Sequence, residues 1–227
     1  MVVMCGRFTL RTPAAELVDL FRLLQVPELQ PRYNIAPTQP VAAVKAIDSA
    51  ANELTFLQWG LIPSWAKDPK IGSRMINARG ETAASKPSFR AAFKRRRCLI
   101  AADGFYEWQK MGGRIKQPVY ITMKNEEPFA FAGLWEHWEA ADGSAIDSCT
   151  IITTAANPLL AEIHDRMPVI LPEDAYGRWL DPQQENKDAL QPLLKPYPSD
   201  EMKMSPISTL VNNPRNDVAE CVEAIEI

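Results

Sequence analysis

Three residues stand in settings that suit them for chemistry: Cys5, Glu107 and His164. Cys5 directly follows Met4. If translation starts at Met4 and that methionine is removed, Cys5 carries a thiol and a free α-amine on one carbon frame, a pair that no internal cysteine has. The amine, with an ordinary pKa of roughly 7.7–8.0, and the thiol, at about 8.5, both supply nucleophile near neutral pH. An amine attacks an aldehyde to give an imine, and the neighbouring thiol can then close a five-membered thiazolidine ring. The competing reading makes Cys5 a small buried hydrophobe at the start of a strand. Glu107 lies between aromatic rings in Phe105-Tyr106-Glu107-Trp108. Buried there, its carboxyl is pushed up by desolvation and suits acid–base work; on the open face of a hairpin it is an ordinary glutamate. His164 falls in the last turn of a helix expected over residues 159–165. The helix dipole there favours the imidazolium and raises its pKa, unless the ring merely caps the helix end. His137, in Glu136-His137-Trp138, reads as a surface residue.

The 227 residues suit one domain, and 46% hydrophobic with 23% charged residues is an ordinary globular balance. Four cysteines are widely scattered, no C-x-x-C pair occurs, and only two histidines are available. No metal site or other cofactor is therefore expected, and a reducing cytoplasm fits better than a disulfide scaffold. No signal peptide and no apolar run of about 20 residues is found, so no membrane partner is expected. The net charge of −3 is unevenly spread. Residues 70–97 hold nine Lys and Arg against Glu81 alone, a local +8 that leaves −11 for the rest. Such asymmetry marks either a polyanion footprint or a solvated basic face.

The elements that must position these residues follow from periodicity and punctuation. Thr12-Pro13 is expected to cap a first helix whose core stripe is Leu17, Leu20, Phe21 and Leu24, ended by Pro27 and Pro31. Residues 32–38 read as irregular. Strands are expected at 41–47 and 54–59, joined as a hairpin by a turn over 48–52. Residues 60–72 read as a loop carrying Trp65, either free to stack on unpaired bases or folded back as a lid. A helix follows over 81–93, broken near Pro87. Further strands are expected at 98–102, 105–108, 119–123, 129–135, 149–154 and 169–171, with a turn over 110–116. Asn157-Pro158 caps the helix that carries His164, shorter helices cover 173–180 and 186–194, and a last strand covers 221–225. Hairpin-spaced strands predict an α+β fold, one domain over 1–227, with a mostly antiparallel sheet core and peripheral helices.

Five segments, taken together, resemble the SRAP family, the SOS-response-associated peptidase or abasic-site-processing proteins. They are Met4-Cys5-Gly6-Arg7-Phe8, Arg32-Tyr33-Asn34-Ile35-Ala36-Pro37, Ile76-Asn77-Ala78-Arg79 with Glu81-Thr82, Asp103-Gly104-Phe105-Tyr106-Glu107-Trp108, and Ile163-His164-Asp165-Arg166-Met167-Pro168. They come in the family's order and span most of the chain. The resemblance implies a barrel-like curved sheet and a positive cleft for single-stranded DNA, in which an N-terminal cysteine crosslinks to the ring-opened aldehyde of an abasic site. It implies catalytic roles for Cys5 as nucleophile, Asn77 beside it, Glu107 as acid–base carboxylate and His164 as histidine. Arg7, Pro37, Trp65, Arg79 and Thr153 match positions along the DNA path, and Lys86 falls near another. Two departures stand out. Met1-Val2-Val3 precedes the Met-Cys pair, so residues 1–4 read as a leader or a mis-assigned start, and Cys5 needs their removal to offer an amine. Where some members carry two loop tryptophans, this chain has Trp65-Ala66.

Three functions compete on this reading. The first is a DNA-damage protein that forms a covalent, lyase-like adduct with abasic single strands. It would act in the cytoplasm on the nucleoid, as a monomer, with replication-associated protein partners unknown. The second is a cysteine peptidase with Cys5 and His164 as nucleophile and base, possible also as removal of its own leader. The third is a binding module for undamaged strands, which leaves Glu107 and His164 without a task.

Overall fold

The computed structural model describes residues 5–26, 28–47, 51–112 and 116–226. The leader 1–4, Pro27, the centre of the 48–52 turn and the middle of the 110–116 turn lie outside them. Thirteen strands carry the architecture: β1 Phe8–Leu10, β2 Arg32–Ile35, β3 Pro40–Ala46, β4 Asn52–Trp59, β5 Asn77–Arg79, β6 Arg97–Ala102, β7 Gly104–Lys110, β8 Lys116–Met123, β9 Phe129–Glu139, β10 Ala145–Ala155, β11 Arg166–Pro168, β12 Ile170–Leu171 and β13 Met202–Pro206. Six short α-helices among the described residues surround them: α1 Ala14–Phe21, α2 Gly80–Ala83, α3 Arg90–Arg95, α4 Pro158–Ala161, α5 Tyr176–Leu180 and α6 Lys187–Leu190.

The strands β10, β4, β3, β6 and β9 pair in that order, and β9 pairs back onto β10, so the sheet closes into a five-membered ring. Closure removes free sheet edges. The long hairpin of β9 and β10 runs from Ala145↔Glu139 to Ile151↔Gly133, and β11 takes over the same edge of β10 from Thr153 onward. On the other edge β10 meets β4 and then β5 in parallel, Ile151 opposite Asn77 and Thr153 opposite Arg79. The remaining pairings are antiparallel, as alternating hairpin-spaced strands require. A second sheet, ordered β13-β8-β7-β1-β2, packs on the ring. Phe8 from β1 sets its ring edge-on to Trp59 and Phe131, and Phe105 from β7 does the same to Phe131. All four are fully buried.

Asp103 is where the chain leaves one sheet for the other. Its carboxylate accepts from the Thr9 hydroxyl, the Arg11 and Thr12 backbone N–H groups and the Thr12 hydroxyl. Thr12 is thus engaged away from α1, which starts at Ala14 with no side-chain cap. This corrects the expected Thr12 cap. The helix also ends earlier than Pro27, because Arg22 adopts the left-handed conformation at φ 52°, its own N–H donating to the Asp19 carbonyl and that of Leu23 to the Val18 carbonyl. Leu24, assigned to the core stripe, lies beyond that turn and is 69% exposed.

Other expectations are corrected in the same way. Residues 32–35 form β2 and are not irregular. The 81–93 helix is two short pieces, α2 and α3, separated at Pro87. The C-terminal strand at 221–225 is a 3-10 turn over Ala219–Val222 with a single bridge, Ile207↔Ala224. Strands β5, β11 and β13 were not anticipated, and β1 only in the reading that sets Cys5 at the start of a strand. The loop after β4 holds a 3-10 turn, Pro69–Arg74, and is pinched where Gly60, at φ +131°, meets Gly72. A Cβ on Gly60 would sit 2.6 Å from the Gly72 carbonyl oxygen.

Candidate active site

The register of β1 on β7 builds the centre of the site. Phe8 pairs with Phe105 and Thr9 with Gly104, and the Tyr106 N–H donates to the Arg7 carbonyl. Extending that antiparallel register by three residues sets Cys5 opposite Trp108, next to Glu107. The Cys5 backbone nitrogen donates to Glu107 Oε1 at 2.8 Å. Cys5 is fully buried with φ +44°, the left-handed region that a non-glycine residue occupies at a cost of order 1–3 kcal/mol. Glu107 is 4% exposed. Burial pushes its carboxyl up to about 7, against the opposing pull of the Cys5 and Trp108 N–H groups. Burial, and then the charge of Glu107, push the Cys5 thiol well up. The carboxyl is therefore raised toward neutrality while Cys5 holds a peptide nitrogen, and the thiol stays protonated.

His164 sits just past α4, which the Asn157 side chain caps by accepting from the Leu160 N–H at 2.9 Å. Its own N–H donates to the Leu160 carbonyl. The expected dipole effect does not prevail, because α4 is a single turn ending at Ala161 and the ring is largely enclosed. Burial lowers the His164 pKa, and Lys110 and Arg166 add to this against the opposing charge of Asp165. The Arg166 backbone N–H donates to His164 Nδ1 at 3.1 Å. Asp165 Oδ1 lies 2.9 Å from the same nitrogen, a contact that becomes a hydrogen bond only when Nδ1 itself carries a proton. The lowered pKa favours the neutral ring, and the Arg166 N–H donor favours the tautomer with its proton on Nε2.

Asn77 and Arg79 lie on β5 against β10, and Arg79 is exposed opposite Thr153 on the neighbouring strand. Thr153 itself is buried and accepts from Arg166 through its hydroxyl. Arg7 is drawn into the protein. Its Nη1 donates to Asn34 Oδ1 and to the Val211 carbonyl, both at 2.8 Å, and its guanidinium lies 5.8 Å over the Trp108 ring. Pro37 is half-buried and Lys86 exposed. Trp65 is 60% exposed, so it is free to stack and is not a lid. Its loop is anchored by the Trp138 indole N–H donating to the Ala66 carbonyl at 2.7 Å. The basic run is smaller than its charge count. Arg97 is 3% exposed and donates to four backbone carbonyls of residues 93, 94, 179 and 181. Arg96 pairs with Glu136, and Lys94 and Arg95 with Glu185. Lys70, Arg74, Arg79, Lys86 and Arg90 remain exposed.

Sequence reasoning gave no role to Asn34. Its side-chain amide donates to the Val211, Asn213 and Asn216 carbonyls, while Asp217 accepts from the Tyr33 and Asn34 N–H groups and from Arg32. The second resembling segment thus clamps the C-terminal strap 207–222 beside Arg7. Among the described residues no group of three or more His, Cys, Asp or Glu could hold a metal ion. No described helix is long and apolar enough to cross a membrane.

A cysteine backbone nitrogen on a buried carboxylate, in a sheet packed on a closed ring of strands with exposed cations nearby, defines a class. The chain belongs to the SOS response associated peptidase (SRAP) family, whose model matches residues 4–214. It is 46% identical over 224 residues to the abasic site processing protein YoqW of Bacillus subtilis, covering 97% of this chain and all of that one. It is 37% identical over 227 residues to the abasic site processing protein HMCES of Xenopus tropicalis, covering 86% of this chain and 67% of that one. A crystal structure of a protein from Bacteroides thetaiotaomicron superposes with a TM-score of 0.88 at 27% identity, covering 98% of this chain and all of that one.

Proposed function

We propose that this protein processes abasic sites in single-stranded DNA by capturing their aldehyde on Cys5. The observation that carries the reading is the 2.8 Å contact between the Cys5 nitrogen and Glu107. Once the Met4–Cys5 bond is open, that nitrogen is an amine. It attacks the C1′ carbonyl carbon of the ring-opened sugar. The carbinolamine loses its hydroxyl as water, with Glu107 supplying the proton and recovering one from nitrogen. The Cys5 S–H then adds across the C=N bond, sulfur to carbon and proton to nitrogen, closing the thiazolidine. His164, neutral and with its proton on Nε2, assists opening of the sugar ring. Asn77 serves as donor and acceptor for the sugar hydroxyls. Arg79 and Lys86 take phosphates, Trp65 and Pro37 take bases, and Arg7 and Thr153 support the path from within.

The names of the relatives support this reading over a peptidase acting on other proteins. The thiol is pushed up, the reverse of an activated catalytic cysteine. One limited peptidase step has support in the strained Cys5 backbone and in the carboxyl on its nitrogen. Sγ gives its proton to the Glu107 carboxylate and attacks the Met4 carbonyl carbon, the acyl group moves from nitrogen to sulfur as Glu107 passes that proton to the departing nitrogen, and water hydrolyses the thioester to a Met4 carboxylate and the free thiol. The test uses protein beginning at Cys5 and an abasic oligonucleotide on a denaturing gel. A retarded band that Cys5→Ala abolishes is expected. Peptide cleavage in trans with no retarded band would reverse the assignment.

A further inference from the structure

One charged pair at the site has no task in the chemistry above. Glu81 is the only acidic residue of the basic segment 70–97, and Arg166 follows His164 by two positions. Arg166 lies on β11 opposite Ala155 of β10, and its guanidinium reaches back across β10. Nη1 and Nη2 donate to the two carboxylate oxygens of Glu81, and Nη2 also donates to the Thr153 carbonyl at 2.7 Å. A fork-on-fork pairing fixes orientation as well as distance. Glu81 stands two residues after Arg79, and His164 two before Arg166. The pair thus ties the strand end that carries Arg79 to the turn that carries His164. The Arg166 backbone N–H completes the link by donating to His164 Nδ1 at 3.1 Å. A ring nitrogen that accepts holds no proton, so the neutral ring keeps its proton on Nε2.

We propose that Glu81 and Arg166 are positioning residues: their brace seats the Arg166 amide against His164 and fixes the separation of His164 and Arg79 across β10. Its effect on capture rests on the reading of His164 and Arg79 given above. Arg166 differs from a phosphate contact in two respects. Its side chain is only 17% exposed, and its charge is already neutralised by Glu81.

The experiment compares wild type with Glu81→Gln and Arg166→Gln in three measurements. Amide exchange at residue 166 and the NMR titration of the His164 ring report the brace without DNA. In both variants exchange at residue 166 should quicken about tenfold, the equivalent of one net hydrogen bond, and the His164 titration should move. Capture rate at saturating abasic oligonucleotide should fall by about 10²-fold, the scale of a misplaced catalytic group. The salt dependence of binding to an undamaged strand should stay unchanged. Melting serves only as a check of folding, because replacing a partly buried ion pair can stabilise or destabilise. If either variant fails to fold, Glu81→Asp and Arg166→Lys keep the charges, lose the forked geometry and are read the same way. Unchanged exchange and titration at residues 166 and 164 would overturn the proposal. So would a salt slope lowered by about one with an unchanged capture rate, which would make Arg166 a phosphate contact. If wild type captures nothing, the proposed function fails, and the two NMR measurements still decide the brace.

Discussion

Glu107 carries a pH signature that the geometry dictates. Its carboxyl is pushed up to about 7 from an ordinary 4.5, so the folded chain binds that proton more tightly than the unfolded one. The stabilisation is fully present below about 4.5 and is lost as pH rises through about 7, a change of about 3 kcal/mol. Glu107→Gln should flatten stability against pH over that window, measured by denaturant unfolding at several pH values, and should slow capture roughly 10²–10⁴-fold without loss of strand binding. A slope that survives the substitution would move the titration to another group. Freeing the Cys5 amine should have a related effect, since an ammonium beside the carboxylate favours its charged form and pulls the pKa back down. His164 runs in the opposite sense. Its folded pKa is lowered, so its contribution is present above the ordinary 6.5 and lost as pH falls through the folded value. His164→Gln should remove that acid-side loss from the same unfolding curves.

Elements decide which residues are free to meet DNA. Lys94 and Arg95 are paired with Glu185, whereas Arg79 is exposed at the end of β5. Arg79→Ala should therefore lower the log–log salt slope of strand binding by about one, while the Lys94→Ala and Arg95→Ala pair should leave it within error. Equal slopes for the two would return the whole run to the footprint. The Asn34 clamp is also testable. Asn34→Ala should cost on the order of 2 kcal/mol by leaving buried carbonyls unsatisfied, and should raise proteolytic nicking within 207–222. The strands β3, β4 and β6 to β10 were legible in the sequence because alternation and turn residues mark them. The strands β1 and β2 were not, since both are short and are held by Asp103 and Asp217 from distant parts of the chain. The charge count misled for the same reason: pairing partners such as Glu185 and Glu136 are far away in sequence. Cys5 and Glu107 could be named from the sequence, but their 2.8 Å contact depends on a strand register that no local signal encodes. Glu81, alone among nine bases, was the one local sign that a cation is held there.

At the scale of the whole molecule, one ring of apolar side chains supports the site. Phe131 of β9 touches Phe8, Phe105 and Phe129, and so underlies both strands that hold Cys5 and Glu107. Phe131→Ala should cost about 3–5 kcal/mol, and capture should fall with it even at temperatures where the fold persists, read by gel against a melting curve. The single-domain reading and the sheet class follow from many strands of even spacing, whereas closure of the ring depends on the β9–β10 pairing, which spacing alone does not reveal. The strap carries a further consequence for biosynthesis. Arg7 is secured by the Val211 carbonyl, and Cys5 reaches Glu107 only when β7 lies beside β1. During synthesis from the N-terminus, domains fold as units once their sequence has emerged. Cys5 leaves the ribosome about 200 residues before Val211, whose carbonyl helps to complete its surroundings. A nascent chain therefore carries Cys5 and Arg7 without their final partners until the strap has emerged.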